Sequence, residues 1–111
     1  MQATLFTAPL MIETANSSGY AIYLNVLNVS SSPRGGTLQI LQLDGSEIGA
    51  ASYNSVAPGV GTGIQVQTFQ NTAPITLVYG KVTVNGQADS IRANLVLIDA
   101  KGNSLISIEA S

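Results

Sequence analysis

Histidine, cysteine and tryptophan are absent from this chain of 111 residues, and only four basic and six acidic side chains carry its charge. Each absence removes a class of chemistry. Without histidine there is no imidazole base near neutral pH and no imidazole metal ligand. Without cysteine there are no disulfides, thiolate ligands or thiol nucleophiles, although cysteine-free domains occur on both sides of a membrane. A charged fraction of 9% stands against about 25% in ordinary globular chains. Four basic residues scattered from Arg34 to Lys101 cannot form the concentrated cationic face that phosphate backbones require, so nucleic acid is excluded as a partner. No apolar run approaches the roughly 20 residues of a membrane-spanning helix, and no basic amphipathic segment suits a membrane surface. The first residues lack the charged start and long apolar centre of a signal peptide, as a trimmed mature chain would.

What is present is neutral and polar. Ser, Thr, Asn and Gln together supply 36 residues, and they solvate the surface in place of charge. The hydrophobic fraction of 45% is enough for one core, and the length suits one domain spanning residues 1–111.

The apolar residues fall in short alternating runs, the period of half-buried strands. Across residues 4–14, Phe6, Ala8, Leu10 and Ile12 alternate with Thr7, Pro9, Met11 and Glu13, which leaves one face cleanly apolar. Pro9 cannot donate to a ladder, which predicts a sheet edge or a break between two short strands. Asn16-Ser17-Ser18-Gly19 reads as a turn. Tyr20, Ile22, Leu24 and Val26 share one parity, then Leu27 and Val29 take the other, which predicts a bulge or a strand crossing between sheets. Leu38 and Ile40 give way to Leu41 and Leu43 in the same manner. Asp44-Gly45 is a hairpin signal. Residues 47–57 read as a short edge strand with irregular chain, ended by the corner Pro58-Gly59. Ile64, Val66 and Thr68 share a face in the next run, which Asn71-Thr72-Ala73-Pro74 breaks. Ile75, Leu77 and Tyr79 precede Val82 and Val84, with Gly80 where the parity changes, as a bulge glycine would sit. Asn85-Gly86 is a turn. Ile91, Ala93, Leu95 and Leu97 point inward, and Asp99-Ala100-Lys101-Gly102-Asn103 turns the chain into a last run with Ile106 and Ile108. Seven to eight strands with short connections predict an all-β fold, a single antiparallel two-sheet sandwich. No segment has helical periodicity.

Leu27-Asn28-Val29-Ser30, Leu38 to Asp44-Gly45, and Val56-Ala57-Pro58-Gly59 resemble the central hairpin and Pro-Gly corner of bacterial immunoglobulin-like sandwiches. The tail from Ile91 to Glu109 is similar to the terminal hairpin of small secreted bacterial β-sandwich proteins. The resemblance implies an immunoglobulin-like domain outside the cytoplasm, extracellular or periplasmic. It implies a spacer or binding module and brings no catalytic residue.

The chemical motifs are sparse. A serine nucleophile would need Lys81 or Lys101 as its base, and both fall where a lysine keeps a face wet. Asp44 with Glu47, and Asp89 with Asp99, lie in or beside turns, where aspartate bonds its own backbone. Asp99-x-Lys101-x-Asn103 imitates the start of a calcium loop, but with a cation in a ligand position. The glycine-containing loop at residues 30–36 has no phosphate-binding lysine and reads as a contact loop around Arg34. Asn16-Ser17-Ser18 and Asn28-Val29-Ser30 match the glycosylation pattern. Tyr20 and Tyr79 fall on apolar parities, and Tyr23 and Tyr53 are expected to be exposed. No catalytic, cofactor-binding or metal residue is assigned, and no enzyme activity is expected. The leading expectation is a structural or adhesive domain that forms an assembly through protein surfaces or self-association. Its N-terminal strand would complete its own sandwich or exchange into a homo-oligomer. The alternative is a carbohydrate- or peptide-binding module, for which an exposed Tyr/Asn/Gln cluster on one sheet face would be the sign.

Overall fold

The computed structural model describes residues 2–12, 20–66 and 76–111. The turn and glycosylation pattern at residues 16–19, together with Glu13, Thr68, Ile75 and the break at 71–74, lie outside the described residues. Among the described residues nine strands run in chain order: β1 (Ala3–Phe6), β2 (Leu10–Ile12), β3 (Ala21–Asn28), β4 (Arg34–Gln42), β5 (Glu47–Val56), β6 (Gly61–Val66), β7 (Thr76–Val84), β8 (Ile91–Ile98) and β9 (Ser104–Glu109). A 3₁₀ turn, Ala88–Ser90, joins β7 to β8.

Every pairing is antiparallel. The first sheet has the order β1-β7-β4-β5, with β2 also on β7, and the second has the order β6-β3-β8-β9. The two-sheet antiparallel sandwich read from the sequence is therefore present. The connections are nested: the β4–β5 hairpin lies inside the β3–β6 pair, which lies inside the β1/β2–β7 pair. Nesting of this kind is jelly-roll connectivity, whereas immunoglobulin sheets share the two layers but order their strands differently.

The core lies between the sheets. Ile22 and Leu24 of β3, Leu38 and Ile40 of β4, Val78 and Val82 of β7, and Ile91 and Leu95 of β8 are all fully buried. Each contributes about 1.5–3 kcal/mol on leaving water, opposed by the entropy of ordering the chain. Gly80 lets the layers approach, since a Cβ there would lie 2.7 Å from Leu24 Cδ1.

Pro9 does split the first run, but the two pieces bury opposite parities. Leu5 and Thr7 face inward before the break, and Leu10 and Ile12 after it. Phe6 and Ala8, expected inside, are exposed. Thr7 bridges the gap: its N–H donates to Gly80 O at 2.9 Å, and its Oγ1 accepts from Gly80 N at 2.8 Å. In β3 the even parity continues without a bulge to Asn28, so Leu27 and Val29 simply face out. The apparent parity change arose because the last inward position is polar. In β7 the inward set is Thr76, Val78, Gly80, Val82 and Val84, and Leu77 and Tyr79 face outward. The expected irregularity in β4 is real and falls between Ile40 and Leu41 in its pairing with β5. β5 is longer than its composition suggested, because small residues suit a strand that packs little on either face.

Tyr53, expected to be exposed, is buried. Its hydroxyl donates to Thr83 O at 2.6 Å, over a site where a Cβ on Gly36 would come within 1.9 Å of that same oxygen. At the chain's end, Ser111 exchanges two backbone hydrogen bonds with Phe6, at 3.0 and 3.1 Å, and so ties the second sheet to β1.

Candidate binding surfaces

The acids singled out in the sequence do not assemble. Asp44 Oδ1 accepts from Ser46 N at 2.8 Å and from Ser46 Oγ at 2.6 Å, closing the β4–β5 turn in which Gly45 takes a positive φ. These bonds hold the Asp44 carboxyl below its ordinary pKa. Glu47 instead accepts from Gln39 Nε2 at 2.9 Å. Asp99 Oδ1 accepts from the backbone N–H groups of Asn103 and Lys101, both at 2.9 Å, and the Asn103 bond leads in lowering its pKa. The calcium-like spacing is thus spent on an Asx turn. Asp89 and Asp99 stand at opposite ends of β8. Among the described residues there is no cluster of three acids fit to hold a metal. Lys81 lies on the outer face of β7, in register with Gln39 and Phe6, and Lys101 lies in the β8–β9 turn.

The loop around Arg34 is a staple. Arg34 Nε donates to Ser30 Oγ at 3.1 Å, and its Nη1 donates to Asn85 O at 3.3 Å. Asn28 is 1% exposed. Its Nδ2 donates to Ser32 O and Val56 O, both at 2.8 Å, while Oδ1 accepts from Ser30 N and Ser30 Oγ. The glycosylation pattern there marks a structural hub whose amide is fully engaged in the folded chain.

Two outward sheet faces remain. On the first sheet, Met11 lies opposite Leu77, and Phe6 lies beside Tyr79 with ring centroids 6.3 Å apart. Met11 is 61% exposed and Phe6 48% exposed. Together with Leu77 they make an apolar patch beside the β1/β2 edge.

On the second sheet the register sets residues in rows across the strands. Gly61, Leu27 and Arg92 form one row. Gly63, Asn25, Asn94 and Glu109 form the next, and Gln65, Tyr23, Val96 and Ser107 the third. Asn25 Nδ2 donates to Asn94 Oδ1 at 3.2 Å, and Asn94 Nδ2 donates to Ser107 Oγ at 3.2 Å. Beside these amides runs an open groove of about 470 Å³. Tyr23 is half-buried on this face. Sequence reasoning noted Tyr23 but missed Asn25, Arg92, Asn94 and Glu109. Their signal was the outward parity of β3, β8 and β9, which becomes a cluster only once those strands are known to be neighbours.

No protein-family model matches the chain, and no curated protein matches it. Among solved structures it is similar to the crystal structure of Thermotoga maritima 1070. The TM-score is 0.62 at 10% identity, covering 97% of this chain and 91% of that one. That likeness supports the all-β fold. A second similar structure is the VP2 subviral particle of infectious bursal disease virus, with a TM-score of 0.49 and 15% identity. It covers 99% of this chain, which spans 35% of the VP2 chain. Among the described residues, no helix is long and apolar enough to cross a membrane.

Proposed function

We propose that this chain is a non-catalytic sandwich that acts outside the cytoplasm through protein surfaces, as a structural or adhesive domain that forms assemblies. The observation that carries this reading is the apolar patch of Met11, Leu77 and Phe6 on the outer face of the first sheet. Contiguous exposed apolar surface on a rigid sheet favours contact with another protein surface. Low overall charge removes the repulsion that would keep like copies apart. Strand exchange is not needed for this, because β1 and β2 pair with β7 of their own chain. Mass in solution, measured by sedimentation across concentration, tests the proposal. The intact protein should grow with concentration, and the Met11→Lys/Leu77→Lys double variant should stay monomeric. An intact protein that stays monomeric throughout would remove self-assembly.

A second reading is a binding module for carbohydrate or peptide. It is favoured by the Tyr23, Asn25, Gln65 and Asn94 cluster on the other sheet face.

A further inference from the structure

We infer that the groove on the outer face of the second sheet binds a neutral oligosaccharide, which rests on the binding-module reading and names its ligand class and site. The groove owes its shape to glycine. Gly61 and Gly63 present no side chains on the outer face of β6, so that flank is low. A Cβ on Gly63 would come within 2.5 Å of Asn25 Oδ1, so the Asn25 amide uses space that only glycine leaves. The volume of about 470 Å³ falls within the ~300–1,000 Å³ of small-molecule sites.

The groove's polar groups are held in place before any ligand arrives. The relay from Asn25 through Asn94 to Ser107 orients both amides. It leaves Asn25 Oδ1 as an acceptor, and one N–H of each amide as a donor, without a partner among the described residues. Ordered donors and acceptors reduce the entropy lost on binding. Arg92 and Glu109 flank the groove with opposite charge and form no ion pair among the described residues; Arg92 Nη1 donates only to Ile91 O at 3.3 Å. The two charges cancel, which disfavours an ionic ligand, yet each can bond hydroxyls. Leu27, 41% exposed, adds an apolar wall. Tyr23 lies four residues along β3 from Leu27, about 13 Å away on the same face. Its ring has an apolar face and a polar tip. Hydroxyls that both donate and accept, together with patches of C–H, match this mixture. A sugar chain offers both along its length.

Titrating the ¹⁵N-labelled full chain with cellohexaose, chitohexaose, maltohexaose, xylohexaose and mannohexaose at millimolar concentration tests the inference. At least one should give saturable NMR shifts centred on Asn25, Leu27, Gly61, Gly63 and Asn94, side-chain amides included. Arg92→Ala and Glu109→Gln, both at exposed positions, should each weaken that binding about tenfold, worth about 1.4 kcal/mol, with an unchanged melting temperature. Met11→Lys on the opposite face should leave it unchanged. No shift at these residues with any of the five sugars overturns the inference. If a capped Ser/Gln-rich peptide then shifts them instead, the binding-module reading survives without the sugar. If neither does, both fall.

Discussion

Replacing Asn28 by Ala removes one side chain and four hydrogen bonds. Val56 O loses this donor and Ser30 N this acceptor, while Ser30 Oγ still donates to Ser32 O at 3.0 Å. Those groups hold the β3–β4 loop against the end of β5, and the hub has almost no contact with water to take over its bonds. An unpaired buried polar group costs about 1–3 kcal/mol, and part of the ring of partners will find solvent, so Asn28→Ala should destabilise the fold by about 2–4 kcal/mol. Urea unfolding should show a lower midpoint at unchanged slope. Tyr53→Phe is the milder test of a buried bond. It keeps the ring in the core and deletes only the hydroxyl that reaches Thr83 O, so about 1–2 kcal/mol is expected. Gly36→Ala should be worse than either, because its Cβ would meet backbone that cannot swing aside. Sequence inspection had no means of seeing Asn28 or Tyr53 in these roles. A polar residue at an inward position reads as the end of a pattern, and a tyrosine among Ser and Asn reads as exposed, until the loops that complete their hydrogen bonds are in place.

Strand existence was legible wherever alternation ran uninterrupted. Ile91, Ala93, Leu95 and Leu97 are all inward in β8, and Asp44-Gly45 and Asp99 to Asn103 form the hairpin turns their chemistry predicted. Parity failed where a special residue resets or interrupts it: Pro9 between β1 and β2, and inward Gly80 in β7, which has no side chain to mark its face. Strand order was not legible, because nested pairing brings together segments far apart in sequence. The outward amide cluster was hidden for the same reason. The first two strands carry a prediction of their own. Leu10 of β2 is buried against β7, and β1, which pairs with the same strand, is tied to Ser111 through Phe6. Leu10→Asp should therefore cost several kcal/mol by placing an unpaired charge in the core. Deleting residues 1–14 should uncover β7 and lower the melting temperature sharply. A synthetic peptide of residues 1–14, supplied in trans, should pair with β7 and restore much of it. A truncated chain that melts like the intact protein would show that β1 and β2 add nothing to the core.

At the scale of the whole molecule, scarcity of charge sets how stability responds to pH. With no histidine or cysteine, no side chain has an ordinary pKa between about 4.3 and 10, and only the α-amino group titrates near 8. Folded and unfolded chains then bind the same number of protons over most of that span, so stability should be nearly flat from about pH 6 to 9. The ends of the range have identified causes. Asp44 and Asp99 are held below the ordinary carboxylate value of 3.8 by turn hydrogen bonds. The folded chain therefore keeps them ionised where the unfolded chain would protonate them. Their contribution is present above pH 3.8 and is lost as the pH falls through their lower folded values. Tyr53 shifts the other way, because burial raises its phenol above 10.0. Its contribution is complete below pH 10 and is lost as the pH rises toward the folded value, where the phenolate must form inside the core. Melting temperature followed across pH should trace a plateau with an acid shoulder below about 4 and an alkaline one above about 10. Asp44→Asn and Asp99→Asn together should shrink the acid shoulder, and Tyr53→Phe should shrink the alkaline one while lowering the whole plateau. A change well above 1 kcal/mol between about pH 6 and 9 would instead require a carboxylate or lysine with a strongly displaced pKa, and such a group would become the first place to look for chemistry in this chain.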